Sequence, residues 1–239
     1  METLMKWFIN AKVFSGLRSY LAKELKNALL NKNGVLVFYD TSLGVKSFDV
    51  IRQLKKDNRL FVRYPEAYQV CAMVDRVKEI CGDIVEVGVY RGGTAKLICE
   101  IEKNKTVHLF DTFAGLPELH EKDAHKLFYK GAYTAEFEDT RDYLKDYKNI
   151  HFYKGLFSEN AYLLKDKNFS LVHLDVDIYQ STLDCLNFFY YRMSKKGVIL
   201  SHDYPVSKGV KLAFDEFFKD KPEMVIELPG CGQCMIIKI

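Results

Sequence analysis

The sequence predicts an α/β protein built on one mostly parallel sheet with helices on both faces, an antiparallel last strand and an N-terminal helical extension. Three observations lead there. From residue 64 onward, short β-branched apolar runs alternate with stretches of helical periodicity, the pattern of strand–helix–strand crossovers. One strand passes into its helix through the glycine turn of IVEVGVYRGGTAKLI, residues 84–98. The last two apolar runs lie too close together for a crossover helix between them, so they are expected to pair antiparallel. A chain of 239 residues that is 48% hydrophobic is long enough to bury one large core.

In order, the strands are expected at 84–89, 106–111, 149–154, 170–176, 197–201, 223–228 and 233–239, and the helices at 64–81, 92–104, 136–147, 179–194 and 208–219. The last helix sets Val210, Ala213, Phe214, Phe217 and Phe218 at core-facing spacing. An amphipathic helix is expected around 16–32. Its neighbourhood carries Trp7, Phe8, Phe14 and Tyr20, an apolar face open to three uses: capping the substrate site, a homo-oligomer contact, or ordinary core packing. Residues 112–135 form a long connection after the second strand, rich in charge, aromatic residues and turn formers. Such loops at the carboxyl edge of a sheet serve as lids or substrate contacts as often as plain surface excursions.

The glycine turn has its own chemistry. A strand-to-helix turn leaves backbone N–H donors unpaired at the positive end of the helix dipole, and glycines clear the space for a ligand to approach them. Glu86 adds a carboxylate suited to a cationic or amino group. The spacing, E-x-G-x-x-x-G-G from Glu86 to Gly93, matches neither the dinucleotide fingerprint nor the triphosphate loop.

Ligands of an open α/β sheet bind outside the carboxyl ends of its strands. Here those ends carry Glu86 and Gly88, then Asp111, then Gly155, Phe157 and Ser158, then Asp175 and Asp177, then His202 and Asp203. Asp111 is placed to accept hydrogen bonds from ribose hydroxyls, which implies a nucleoside cofactor; turn capping is the alternative. One strand–helix–strand crossover separates Asp175 and Asp177 from His202 and Asp203, so adjacent strands bring these groups to one edge. Converging carboxylates need a cation, a shared proton or solvent, and magnesium or another hard divalent ion suits oxygen ligands. Asp177 is equally suited to capping the helix that starts near Ile178, and the alternative for His202 is structural packing.

Basic and acidic residues, 35 and 32, are well interspersed, so no concentrated face announces nucleic acid or anionic lipid. Lys6, Lys12, Arg18, Lys23 and Lys26 break any signal-peptide core, and no segment reaches the length of a membrane span. The expectation is a cytoplasmic protein with neither nucleic-acid nor membrane partners. Cys231 and Cys234 have CxxC spacing, but their flanks read as a hairpin turn between two strands, with no second pair and no following helix.

Together, VEVGVYRGGTA, FDTFAGLPE, LDVDIYQST and GVKLAFDEFF resemble the macrocin O-methyltransferase family, S-adenosylmethionine-dependent enzymes that methylate sugar hydroxyls. The resemblance covers roughly residues 60–239. It implies a Rossmann-like class I methyltransferase fold, a seven-stranded sheet with an antiparallel last strand, in a domain over 61–239 that follows an extension over 1–60. It implies that Glu86, Gly88, Tyr90, Gly92, Gly93 and Thr94 hold the methionyl part of S-adenosylmethionine, Asp111 the ribose, and Gly155, Phe157 and Ser158 the adenine. The family's metal carboxylates map to Asp175, His202 and Asp203, with His202 and Asp203 standing where its best-known members carry two aspartates. For the attack of a hydroxyl on the methyl carbon, Asp175 and Asp203 around a divalent cation come first, with His202 and Asp177 as reserve bases. The expected partner is a small hydroxylated substrate, a sugar or its relative. Two other functions stay open on the sequence: a nucleoside-cofactor-binding protein without catalysis, and a nicotinamide oxidoreductase.

Overall fold

The computed structural model describes residues 42–123 and 128–239, with side chains from Ser47 onward. The amphipathic helix expected around 16–32 lies outside the described residues. Two helices, α1 (Ser42–Lys56) and α2 (Tyr64–Arg76), precede strand β1 (Asp83–Val87). There follow α3 (Gly93–Ile101), β2 (Val107–Asp111), α4 (Phe137–Tyr143), β3 (Ile150–Lys154), the short α5 (Phe157–Asn160), β4 (Phe169–Leu174), α6 (Tyr179–Phe189), β5 (Met193–His202), α7 (Lys208–Phe218), β6 (Ile226–Leu228) and β7 (Gln233–Ile237).

The strands form one seven-stranded sheet in the order β3-β2-β1-β4-β5-β7-β6. β1 pairs in parallel with β2 and β4, β3 with β2, and β5 with β4. β7 alone runs against its neighbours, β5 and β6. The strand order reverses between β1 and β4, which opens a crevice at their carboxyl ends.

Residues alternate between two apolar layers, as the period of two in a strand requires. Ile84, Leu109, Leu171 and Leu200 face the layer built by α1, α2 and α3, where Ile51, Leu54, Val70, Val74, Leu97 and Ile98 are buried. Val85, Phe110, Val172, Leu174 and Ile199 face the other, filled by Phe157, Leu186, Phe189, Phe214 and Phe218. Burying each such side chain contributes about 1.5–3 kcal/mol, so the two layers hold the sheet between them and its carboxyl edge in place. α1 was not anticipated from the sequence, yet it enters the same core through Ile51 and Leu54.

Several boundaries differ from expectation for local reasons. The helix expected over 179–194 stops at Phe189, where a 3₁₀ turn, Tyr190–Arg192, leads directly into β5. The strand expected over 170–176 ends at Leu174, because Asp177 adopts φ 62° and turns the chain out of the sheet. Cys231 and Cys234 are free thiols, Cys231 in the turn between β6 and β7 and Cys234 in β7 itself, in the hairpin their flanks predicted. No helix of the described residues is long and apolar enough to cross a membrane.

Gly93 opens α3 beneath the 59–60 segment, so that a Cβ there would lie 2.2 Å from the Arg59 carbonyl oxygen and 2.7 Å from the Leu60 Cα. Gly93→Ala is therefore expected to lower stability by about 1–3 kcal/mol, read as a drop in the urea midpoint; an unchanged midpoint would show that the segment is not seated on this glycine.

Candidate active site

A cleft of about 570 Å³ opens at the reversal of strand order, within the size range of small-molecule sites. One half is lined by Asp111, Thr112, Leu116, Pro117, Gly155 and Phe157, and the other by Asp175, Asp177, Asp203, Tyr133, Phe61 and Glu66.

The floor is set by the turn after β1. Gly88 has φ 93°, and a Cβ there would sit 1.9 Å from the Asp175 carbonyl oxygen; only glycine lets the two chains cross here. Asp111 holds the turn from the side. One of its carboxylate oxygens accepts from the Val89 and Tyr90 amides at 2.8 and 2.7 Å, and the other from the Phe113 amide at 2.6 Å. Burial pushes the Asp111 carboxyl up, and these three amides pull against it. A carboxylate has about four acceptor positions, so Asp111, which also lines the cleft, keeps one for a ligand hydroxyl.

At the far end the carboxylate oxygens of Asp175, Asp177 and Asp203 converge within 4.8 Å of one another. Burial raises Asp175 to about 6 and, with the Asp175 charge beside it, Asp203 to about 6. Asp177 is raised well above the ordinary carboxylate range by burial and by its two neighbours. Among the described residues no lysine, arginine or histidine forms an ion pair with any of the three. Asp177 and Asp203 share a side-chain hydrogen bond, and the all-oxygen acidic set also fits a hard divalent cation, which would relieve the repulsion in place of a shared proton.

His202, expected among these ligands, points elsewhere. Its Nε2 lies 2.7 Å from the Gln233 amide nitrogen and its ring stands edge-on to His173 at 4.9 Å. Burial, then the His173 neighbour, push it down to about 3, so it is a neutral side chain of the cleft wall. The third carboxylate of the cluster is that of Asp177. Asp177 caps no helix; the first amide of α6, Tyr179 N, is instead met by Asp123 Oδ1 at 2.8 Å from the long loop.

The remaining residues singled out by the sequence divide clearly. Gly88, Tyr90, Asp111, Gly155 and Phe157 line the cleft; Glu86, Gly92, Gly93, Thr94 and Ser158 do not. Glu86 is fully buried, with Oε1 3.0 Å from His173 Nδ1 and Oε2 without a partner. It points into the α2–α3 layer because it shares the parity of Ile84 along β1. Gly92 supplies the left-handed N-cap of α3, φ 79°, and Gly93 makes room for the 59–60 segment.

Glu66, Phe61, Asp123 and Tyr133 were missed, although Tyr133 and Asp123 lie in the loop marked as a lid or substrate contact. Glu66 joins the start of α2 to the β6–β7 turn: it accepts from Arg63 N at 2.6 Å and from Gly232 N at 3.0 Å. Asp123 is 5% exposed and also packs on Gly209 of α7, where a Cβ would meet its Oδ1 at 1.8 Å. It thereby ties the loop to both helices that follow the acid-bearing strand ends. Four non-glycine residues of the cleft, Tyr90, Tyr133, Asp177 and Asp203, hold φ between 50° and 63°. Such conformations are costly and concentrate where a site imposes them.

Comparison with solved structures defines the class of fold. The chain superimposes on a calicheamicin methyltransferase with a TM-score of 0.64, at 18% identity over 84% of this chain and 94% of that one. It superimposes on the O-methyltransferase NovP with 0.61, at 23% identity over 71% and 78%. A Bacillus cereus O-methyltransferase in complex with SAH gives 0.56, at 13% identity over 89% and 97%. The fold is that of the class I O-methyltransferases. The family model of macrocin O-methyltransferase matches residues 65–228, and the chain belongs to that family. The demethyldecarbamoylnovobiocin O-methyltransferase of Streptomyces niveus is 27% identical over 151 residues, 57% of this chain and 58% of that protein. The mycinamicin III 3''-O-methyltransferase of Micromonospora griseorubida is 27% identical over 141 residues, 52% and 55%. The matched part of the chain thus spans somewhat over half the length of these curated relatives.

The acids also imply a pH dependence. The folded state holds Asp175 and Asp203 at about 6, against about 3.9 for an aspartate in an unfolded chain, so folding favours their protonated forms. Stability from these groups is complete below about pH 4 and is lost as pH rises through 6. In chelator, the Tm contribution of the pair is expected to fall between pH 5 and pH 7.5, and Asp175→Asn with Asp203→Asn to flatten that slope; an identical slope in the double variant would contradict this origin.

Proposed function

We propose that this protein is an S-adenosylmethionine-dependent O-methyltransferase acting on a hydroxyl of a sugar or related small hydroxylated substrate, with a divalent cation at the acids. The observation that carries the reading is the convergence of Asp175, Asp177 and Asp203 in the same cleft as Asp111, Gly155 and Phe157. The family match and the names of the relatives, which are O-methyltransferases of natural products, support it. The apolar walls of Leu116, Pro117 and Phe157 suit a flat base, and Asp111 suits a ribose hydroxyl.

When bound, S-adenosylmethionine supplies a methyl group on a positively charged sulfur, and a divalent cation supplies a Lewis acid for the acceptor oxygen. The reaction forms an O–C bond, breaks the C–S bond and releases the hydroxyl proton. The chain's part is to align the acceptor with the methyl group and to receive that proton. Asp175, Asp177 and Asp203 line the half of the cleft opposite Asp111, where they would hold the cation and face the acceptor hydroxyl whose proton is released.

Asp203→Ala is expected to reduce methyl transfer about a hundredfold or more while the Kd for S-adenosylhomocysteine stays within about threefold, because the acid lies outside the nucleoside half. The assay uses labelled S-adenosylmethionine against nucleotide-sugars and glycosides, with chelator or added magnesium or manganese. Full turnover by the variant would remove Asp203 from the mechanism, and tight NAD binding in preference to S-adenosylmethionine would overturn the reading.

A further inference from the structure

Three aromatic side chains from separate segments meet at the mouth of the cleft opposite its nucleoside half. Phe61 comes from the α1–α2 connection, Tyr90 from the glycine turn and Tyr133 from the end of the long loop. The Phe61 and Tyr90 ring centroids are 5.3 Å apart, and Tyr90 meets Tyr133 edge-on at 6.1 Å. The Arg91 guanidinium lies 5.5 Å from the Phe61 centroid and 5.2 Å from that of Tyr90, bracing the pair.

Their exposure and backbone need a reason. Phe61 is 54% and Tyr133 51% exposed, which leaves apolar ring surface in water at a cost. Tyr90 and Tyr133 also hold φ of 50° and 63°, a region bulky residues avoid. A ligand covering the rings would offset both. Across the cleft stand Asp175, Asp177 and Asp203, and burial together with these three charges keeps the Tyr133 hydroxyl protonated beyond the usual phenol range. One wall of this half is thus apolar and the other is acidic and lacks ion pairs.

We infer that Phe61, Tyr90 and Tyr133 form the acceptor subsite, which takes a neutral or amino-bearing pyranose ring with its C–H face on the aromatic rim and its hydroxyl edge toward the three aspartates. The inference rests on the methyl-transfer reading and deepens it. A pyranose has the required division, an apolar ring face and a polar rim. A flat base finds its own apolar walls in the other half. A carboxylated ring is disfavoured because its charge would face three acids against a single bound divalent cation.

The test uses the full chain with S-adenosylhomocysteine and magnesium. Saturation-transfer NMR is recorded on methyl hexopyranosides and the matching methyl hexuronides, and calorimetry gives the Kd of S-adenosylhomocysteine. Wild-type protein should saturate the ring C–H protons of the neutral sugars and not those of the uronides. Phe61→Ala and Tyr133→Ala should each weaken sugar binding about five- to tenfold, Tyr133→Phe should restore it to within about twofold, and the Kd of S-adenosylhomocysteine should stay within about twofold throughout. Both rings are half exposed, so the alanine variants are expected to fold, which far-UV melting verifies. Binding of S-adenosylhomocysteine without any pyranoside, unchanged sugar binding in both alanine variants, or stronger binding of the uronides would overturn the subsite and leave the methyl-transfer reading standing. Equal weakening of S-adenosylhomocysteine would assign the rim to the cofactor and overturn the subsite. A wild-type protein that binds neither ligand would defeat both.

Discussion

The site depends on one crossing of backbones. At the carboxyl ends of β1 and β4 the chain at Gly88 passes the Asp175 carbonyl so closely that a Cβ would sit 1.9 Å from its oxygen, and Asp175 N donates to Val87 O at 2.9 Å. That contact fixes the floor of the cleft and the first acid together. Asp111 then locks the turn through the amides of Val89 and Tyr90, so the nucleoside half and the acidic half share a single rigid origin.

From that origin the structure concentrates unfavourable electrostatics. Asp175, Asp177 and Asp203 repel one another in a partly dry setting, and Asp177 and Asp203 do so from left-handed backbone conformations. Such an arrangement persists because the surroundings over-determine it. β1 and β4 are held between two apolar layers, Ser207 bonds to the Asp177 carbonyl at 2.8 Å, and Asp123 bolts the long loop to α6 and α7. The stability lost at the acids is supplied by the core beneath them, and a cation or a proton is the natural counterpart.

The two buried histidines separate appearance from role. His202 adjoins Asp203 in the chain and reads as a ligand or base, yet its Nε2 faces Gln233. His173, whose Nδ1 lies 3.0 Å from Glu86 Oε1, draws Glu86 away from the cleft and into the helix layer. His202 still lines the cleft beside Asp203, so adjacency in sequence brings a side chain to the wall without settling which way its polar atoms face.

Much of the fold was legible in the chain itself. Short apolar runs and helical patterns marked all seven strands and most of the helices of the described residues, because central strands buried on both faces of a parallel sheet read as unbroken apolar runs. The absence of a crossover before Gln233 required β7 to turn back. The strand ends named Gly88, Asp111, Asp175, Asp177 and Asp203, since a switch-point cleft takes its residues from those positions. Tertiary structure decided the rest. Whether Asp177 or His202 completes the acidic set depends on φ at residue 177 and on Gln233, which arrives from the antiparallel β7. Which glycine serves a ligand and which serves packing depends on the 59–60 segment covering Gly93. Phe61 and Tyr133 reach the cleft from connections whose paths no periodicity encodes, and Glu66 from the first turn of α2, so local pattern could locate the edge of the sheet but not the side chains that other segments bring to it.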